Sequence, residues 1–81
     1  MITVLLLARL RDECGTDSIK VDVAALTINT VAALREHLIE RGMTVLNDGC
    51  IRCAVNQTFC PDSQSIQAGD EVAFMPPVTG G

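Results

Sequence analysis

Eighty-one residues, 48% of them hydrophobic and 20% charged, suffice for one small globular domain around one core and are too few for two. Six Lys and Arg against ten Asp and Glu leave a formal net charge of −4. The chain therefore lacks a basic footprint for phosphate backbones or anionic lipid, and neither nucleic acid nor a membrane is an expected partner. The apolar run over residues 4–8 stops at Arg9 with no basic segment before it. It fits neither a spanning helix nor a secretory signal, so the cytoplasm is the expected compartment. There Cys14, Cys50, Cys53 and Cys60 are expected as reduced thiols rather than two disulfides. With no Trp or Tyr and two Phe, the core must be built from Leu, Val, Ile and Ala.

Residues 2–8 are aliphatic and β-branched over a length that suits a strand. Alternation puts Ile2, Val4, Leu6 and Ala8 on one face and Thr3, Leu5 and Leu7 on the other. Both faces are largely apolar, which predicts a central strand with one side under a helix and the other side meeting something else. After a turn at Gly15-Thr16-Asp17, residues 18–23 alternate Ile19, Val21 and Val23 with Lys20 and Asp22, and read as a hairpin partner of the first strand.

Thr30 stands where a helix N-cap belongs, ahead of Val31, Leu34 and Leu38 at helical spacing. Arg41 falls in the last turn and Gly42 at a left-handed C-terminal position. Glu36 and Glu40 lie opposite the apolar stripe, in water. Asp48-Gly49 is a turn, residues 51–55 a strand, Asn56-Gln57 a tight hairpin tip, residues 58–60 the returning strand, and Pro61 its end. A turn at Ala68-Gly69-Asp70 leads into a last strand over residues 71–75, with Val72 and Phe74 on one face. The predicted order is strand, strand, helix, strand, strand, strand, without repeats or linkers: an α+β domain over residues 1–75.

Pro76-Pro77-Val78-Thr79-Gly80-Gly81 follows directly, and nothing in it suits a sheet or a helix. Two prolines favour a stiff extended start, while Gly80 and Gly81 carry no side chain to block a narrow channel. At roughly 3.3 Å per residue, residues 76–81 reach about 20 Å, enough to enter another protein's active site.

These residues resemble the sulfur-carrier proteins of the ubiquitin-like β-grasp group, in particular small subunits of molybdopterin synthase. The likeness is carried by Ile2-Thr3-Val4-Leu5, the helix over residues 30–38, Ala54-Val55-Asn56-Gln57, and Gly69-Asp70-Glu71-Val72-Ala73-Phe74 followed by Pro76-Pro77-Val78-Thr79-Gly80-Gly81. The resemblance implies a β-grasp fold, a mixed sheet packed on one main helix. It also implies a cycle in which a ubiquitin-activating-like enzyme uses ATP to adenylate the Gly81 carboxylate. A sulfur-donating enzyme then completes the thiocarboxylate. The tail, Pro76, Pro77, Val78, Thr79 and Gly80, would thread into the synthase large subunit in a heterotetramer, where the sulfur passes to precursor Z to form the molybdopterin dithiolene. Catalytic side chains would belong to the partners, and no cofactor would be bound permanently. Related carriers serving thiamine synthesis or tRNA thiolation, and ubiquitin-like modifiers, share this chemistry and stand as alternatives.

Strand alternation nominates a docking surface for the large subunit: Leu5 and Leu7 on the uncovered sheet face, Met75 at the root of the tail, and Phe59 extending the patch. A rival reading takes Cys50-Ile51-Arg52-Cys53 as a zinc or thiol-redox element. Residues three apart on a strand face opposite ways, so no metal site is expected and the cysteines read as packing thiols. His37, at the edge of the helix stripe, reads as a packing residue, and Asp70 and Glu71 as two solvated acids.

Overall fold

The computed structural model describes residues 1–76. Its strands are β1 (Ile2–Leu6), β2 (Ser18–Val21), β3 (Arg52–Val55), β4 (Thr58–Cys60) and β5 (Glu71–Met75), with helices α1 (Arg9–Cys14) and α2 (Val31–Glu40) and a 3-10 turn at Thr44–Asn47. The strands form one mixed sheet in the order β2-β1-β5-β3-β4. At its centre β1 and β5 run parallel, whereas β1 with β2, β3 with β5 and β3 with β4 are antiparallel. The first and last strands of the chain are thus neighbours, and the C-terminal segment leaves from the middle of the sheet.

The register explains which residues fill the core. Val4 aligns with Ile19 and Val72, and Val72 in turn with Val55; Leu6 aligns with Phe74, and Phe74 with Cys53. These side chains meet Val31, Leu34 and Leu38 of α2 in one buried cluster. Val4, Val72, Phe74, Val31, Leu34 and Leu38 are fully excluded from solvent.

Helix α2 is set by its ends. The Thr30 hydroxyl accepts from the Ala33 amide at 3.2 Å, and the carbonyls of Gln64 and Asp62 accept from the Val31 and Ala32 amides at 3.0 and 2.8 Å. The amides that an isolated helix leaves unpaired are therefore satisfied by the loop after β4. At the other end the Gly42 amide donates to Ile39 and the Met43 amide to Leu38, each at 3.0 Å, with Gly42 at φ +106°. This is a Schellman closure, and it needs a residue without a Cβ penalty at that φ.

Several sequence expectations need correction. The first strand ends at Leu6, because Ala8 turns to φ 52° and starts α1, a helix that composition did not announce. Ala8 is consequently exposed rather than on the helix-covered face. The second strand ends at Val21, since Asp22 leaves it to accept from the Ala25 amide at 3.1 Å. The third begins at Arg52, and Ile51 precedes it as a buried anchor. The element order thus gains α1 and the 3-10 turn, each held by a single buried leucine, Leu10 and Leu46. Asp70 is no freely solvated acid: its carboxylate accepts from the Asn56 side chain at 3.0 Å and the Gln67 amide at 2.9 Å.

Candidate docking face and tail root

The sheet face opposite α2 carries the residues nominated for docking. The register lays Leu5, Ala73, Ala54 and Phe59 in one row across β1, β5, β3 and β4. The next row, toward the end of β5, pairs Met75 with Arg52, and Leu7 borders it where its amide donates to the Phe74 carbonyl at 3.1 Å. Phe59 is 55% and Leu7 38% exposed, while Leu5 and Met75 are half-buried. Alternation along β1 and β5 predicted these facings, and the two-residue tip at Asn56-Gln57 places Phe59 on the same side.

Arg52 belongs to this face and was missed. Its guanidinium lies 4.3 Å from the centroid of the Phe59 ring, a cation–π contact that holds both side chains across β3 and β4. The signal was present, because Arg52 and Ala54 are two apart on one strand, but only the β3–β4 register brings Phe59 beside them. Close to the root of the tail the outer face is therefore an apolar patch with one stacked cation, while Thr3, Lys20 and Glu71 make its other end polar.

Pro76 is the last described residue and is half-buried. Pro77, Val78, Thr79, Gly80 and Gly81 lie outside the described residues. What the fold provides is their point of departure: β5 sits between β1 and β3, and its end is flanked by Leu7 and Arg52.

Two hydrogen-bonded knots hold this strand in place. Asn56 and Gln57 both take positive φ, 50° and 71°, at a tip where asparagine tolerates that conformation. The Asn56 side-chain amide donates to Asp70, its side-chain oxygen accepts from the Glu71 amide at 3.0 Å, and the Asn56 backbone N–H donates to the Glu71 carbonyl at 2.7 Å. The hairpin tip is thereby clamped to the turn that launches β5. On the inner side Arg35 of α2 donates to the carbonyls of Leu46 and Ile51 at 3.0 and 3.1 Å and to the Asp62 carboxylate at 3.0 Å. Its guanidinium carbon stands 5.3 Å from the Phe74 ring centroid. Arg35 is a largely buried pin joining the helix to the segments on either side of the β3–β4 hairpin, a role that its place in a polar-looking helix face concealed.

The cysteines do not form the rival site. Cys53 is buried on the inner face, whereas Cys50 is exposed in a turn outside β3, with its amide donating to Asp48 at 2.8 Å. Cys50 is therefore not a packing thiol. Among the described residues no group of three or more His, Cys, Asp or Glu is placed to hold a metal ion. Burial, reinforced by the neighbouring Cys60, pushes the Cys53 thiol up to about 12, and burial beside Glu13 raises Cys14. His37 is half-buried at the rim of the core, and its Nε2 has no hydrogen-bond partner among the described residues.

A mixed sheet with a parallel central pair, one long covering helix and a C-terminal segment leaving the middle strand is the architecture of the ubiquitin-like β-grasp proteins. Within that class the chain belongs to the ThiS family, whose model matches residues 4–81. It is 45% identical to the molybdopterin synthase sulfur carrier subunit of Escherichia coli (strain K12) over 84 aligned positions that cover 100% of both chains. The fold is similar to SAMP1 from Haloferax volcanii, with a TM-score of 0.75, 25% identity, and 99% and 98% of the two chains covered. It is also similar to a chain in the complex of subunits 1 and 2 of molybdopterin-converting factor from Helicobacter pylori 26695. There the TM-score is 0.71 and the identity 20%, with 99% and 97% covered. No helix among the described residues is long and apolar enough to cross a membrane.

Proposed function

We propose that this protein is the sulfur carrier subunit of a molybdopterin synthase and works in the cytoplasm. The observation that carries the reading is full-length 45% identity to a sulfur carrier subunit, together with a Pro-Pro-Val-Thr-Gly-Gly ending on the central strand of the sheet. In this reading the Gly81 carboxylate attacks the α-phosphorus of ATP on an activating enzyme, releasing pyrophosphate. A sulfur donor then displaces AMP from the acyl carbon, leaving a thiocarboxylate. A carboxylate is a poor electrophile, and adenylation supplies the leaving group that this exchange requires.

The outer face then docks the large subunit, with Leu5, Leu7, Phe59 and Met75 as its apolar anchors, while residues 76–81 enter the partner's pocket. Glycine at positions 80 and 81 leaves the acyl carbon approachable in both active sites. The complex formed by the Helicobacter pylori subunits supports such an assembly, for which a heterotetramer is the proposed form. Sulfur delivered to a pterin precursor there forms the dithiolene. The chain contributes the acyl group and its presentation, and the partners contribute the catalytic side chains.

The test is the intact mass of the protein after incubation with its activating enzyme, ATP and a sulfur donor. Exchange of one terminal oxygen for sulfur at Gly81 is the expected result. An unchanged mass with an activating enzyme proven on its own carrier would contradict the reading. The likeness to SAMP1, a small archaeal modifier protein, favours a second reading as a protein modifier. Isopeptide conjugates through Gly81 in the same incubation, supplemented with cell protein, would favour that one instead.

A further inference from the structure

Cys53 and Cys60 stand directly opposite each other on β3 and β4. Both serve the inner face: Cys53 is buried in the core cluster, and Cys60 is half-buried and packed against it. Opposed residues of an antiparallel pair lie about 4.5–5.5 Å apart at Cα, inside the window of about 4.4–6.8 Å that a disulfide spans. The Cys60 thiol already donates to the Cys53 carbonyl at 3.8 Å. The two differ in access, since Cys60 lines an open depression with Phe59, Pro61 and Gln64, and Cys53 does not reach it.

We propose that Cys53 and Cys60 form a site of reversible disulfide modification, entered through Cys60 and closed by Cys53. The co-reactant is a small-molecule disulfide, RSSR. The Cys60 thiolate attacks one sulfur, forming a mixed disulfide and releasing RS⁻. Cys53 then gives its proton to that thiolate, and its sulfur displaces the second RS⁻ from Cys60. Two protein thiols are oxidised to one disulfide, and RSSR is reduced to two RSH. The buried position that raises the Cys53 thiol makes closure, rather than entry, the slow step.

The staple ties β4, an edge strand of three residues, to β3. Arg52 and Phe59, the residues just before the two cysteines, face the opposite side and form the stacked pair of the docking face. Oxidation on the core side therefore fixes the strand that presents Phe59. The site is independent of the sulfur-carrier reading, because it is built from the hairpin alone.

The test incubates the full-length protein in glutathione buffers from reduced to oxidised, then quenches with acid, alkylates and maps the peptides. The expected product under oxidising buffer is one internal disulfide, Cys53–Cys60, with Cys14 and Cys50 alkylated or glutathionylated. Cys60→Ser should lose the internal disulfide. Cys53→Ala should accumulate Cys60 as its glutathione mixed disulfide, a trapped intermediate that a merely structural pair would not give. Pairing of Cys60 with Cys50 or Cys14, or formation of the Cys53–Cys60 bond only in denaturant, would overturn the proposal.

Discussion

The two faces of the central sheet both carry aliphatic side chains near the end of β5, and they differ in what covers them. On the inner face Val4, Leu6, Val72 and Phe74 are fully excluded from water by α2 and the loops around it. One residue further along, Leu5, Leu7, Ala73 and Met75 have no covering helix among the described residues, and Phe59 beside them is more than half exposed. Burial of the first set holds the fold together, whereas in the proposed reading the second set gains burial when the large subunit docks. On that reading, adjacent residues such as Phe74 and Met75 separate folding from docking within a single peptide bond.

The comparison breaks most visibly at Phe74. Phe74→Ala leaves a cavity between α2 and the sheet and removes the ring beside Arg35, and should cost about 3–5 kcal/mol by urea unfolding. Arg35→Ala comes next, at about 2–4 kcal/mol, because the Leu46 and Ile51 carbonyls lose a charged donor at a largely buried site. The Asp62 contact contributes little of that loss, since its carboxylate is half exposed. On the outer face the effect moves from folding to binding. Met75→Glu should weaken docking to the large subunit by more than about 2 kcal/mol, roughly 30-fold, in a titration with purified partner, while shifting the unfolding midpoint little. Equal affinity in a well-folded variant would remove Met75 from the docking surface.

The smallest expected effect is the pH dependence over the first unit above about pH 8.5. An unfolded cysteine loses its proton near about pH 8.5, whereas Cys53 in the folded chain holds its own up to about 12. Above the lower value the folded state binds more protons than the unfolded one, so stability falls as pH rises through this window and is unaffected below it. The chain has no Tyr and a single Lys, Lys20, so the rest of the alkaline slope comes chiefly from Cys14, whose thiol burial also raises. Urea midpoints measured on both sides of about pH 8.5 should decline with alkalinity, and Cys53→Ala should flatten the decline.

What was legible in the sequence was whatever local chemistry decides. Strand β5 was readable to the residue because Gly69 and Asp70 make the turn and the alternation from Glu71 to Met75 is unbroken. Helix α2 was readable from Thr30 and Gly42, whose capping bonds lie within a few residues. Helix α1 was not, since Ala8 continues an apolar run and one leucine, Leu10, is its entire buried anchor. On the candidate docking face, the facings of Leu5, Leu7 and Met75 followed from alternation, but the Arg52–Phe59 stack needed the pairing of β3 with β4. The Asn56–Asp70 clamp and the Arg35 pin join residues 14 and 11 to 27 positions apart, and no local pattern announces such contacts. The clamp does unite two segments that carried the family resemblance, Ala54-Val55-Asn56-Gln57 and Gly69-Asp70-Glu71, and gives their likeness a structural reason.

The central claim is that the body presents a C-terminus whose acyl group does the chemistry. It is tested most directly by reconstituting sulfur transfer with the activating enzyme, ATP, a sulfur donor, the large subunit and pterin precursor. The measurement compares the intact chain with one lacking Gly81 and one carrying a permanent tag after it. The account predicts dithiolene product from the intact chain and none from either variant, with unfolding midpoints unchanged in all three. Full product from the tagged chain would contradict it.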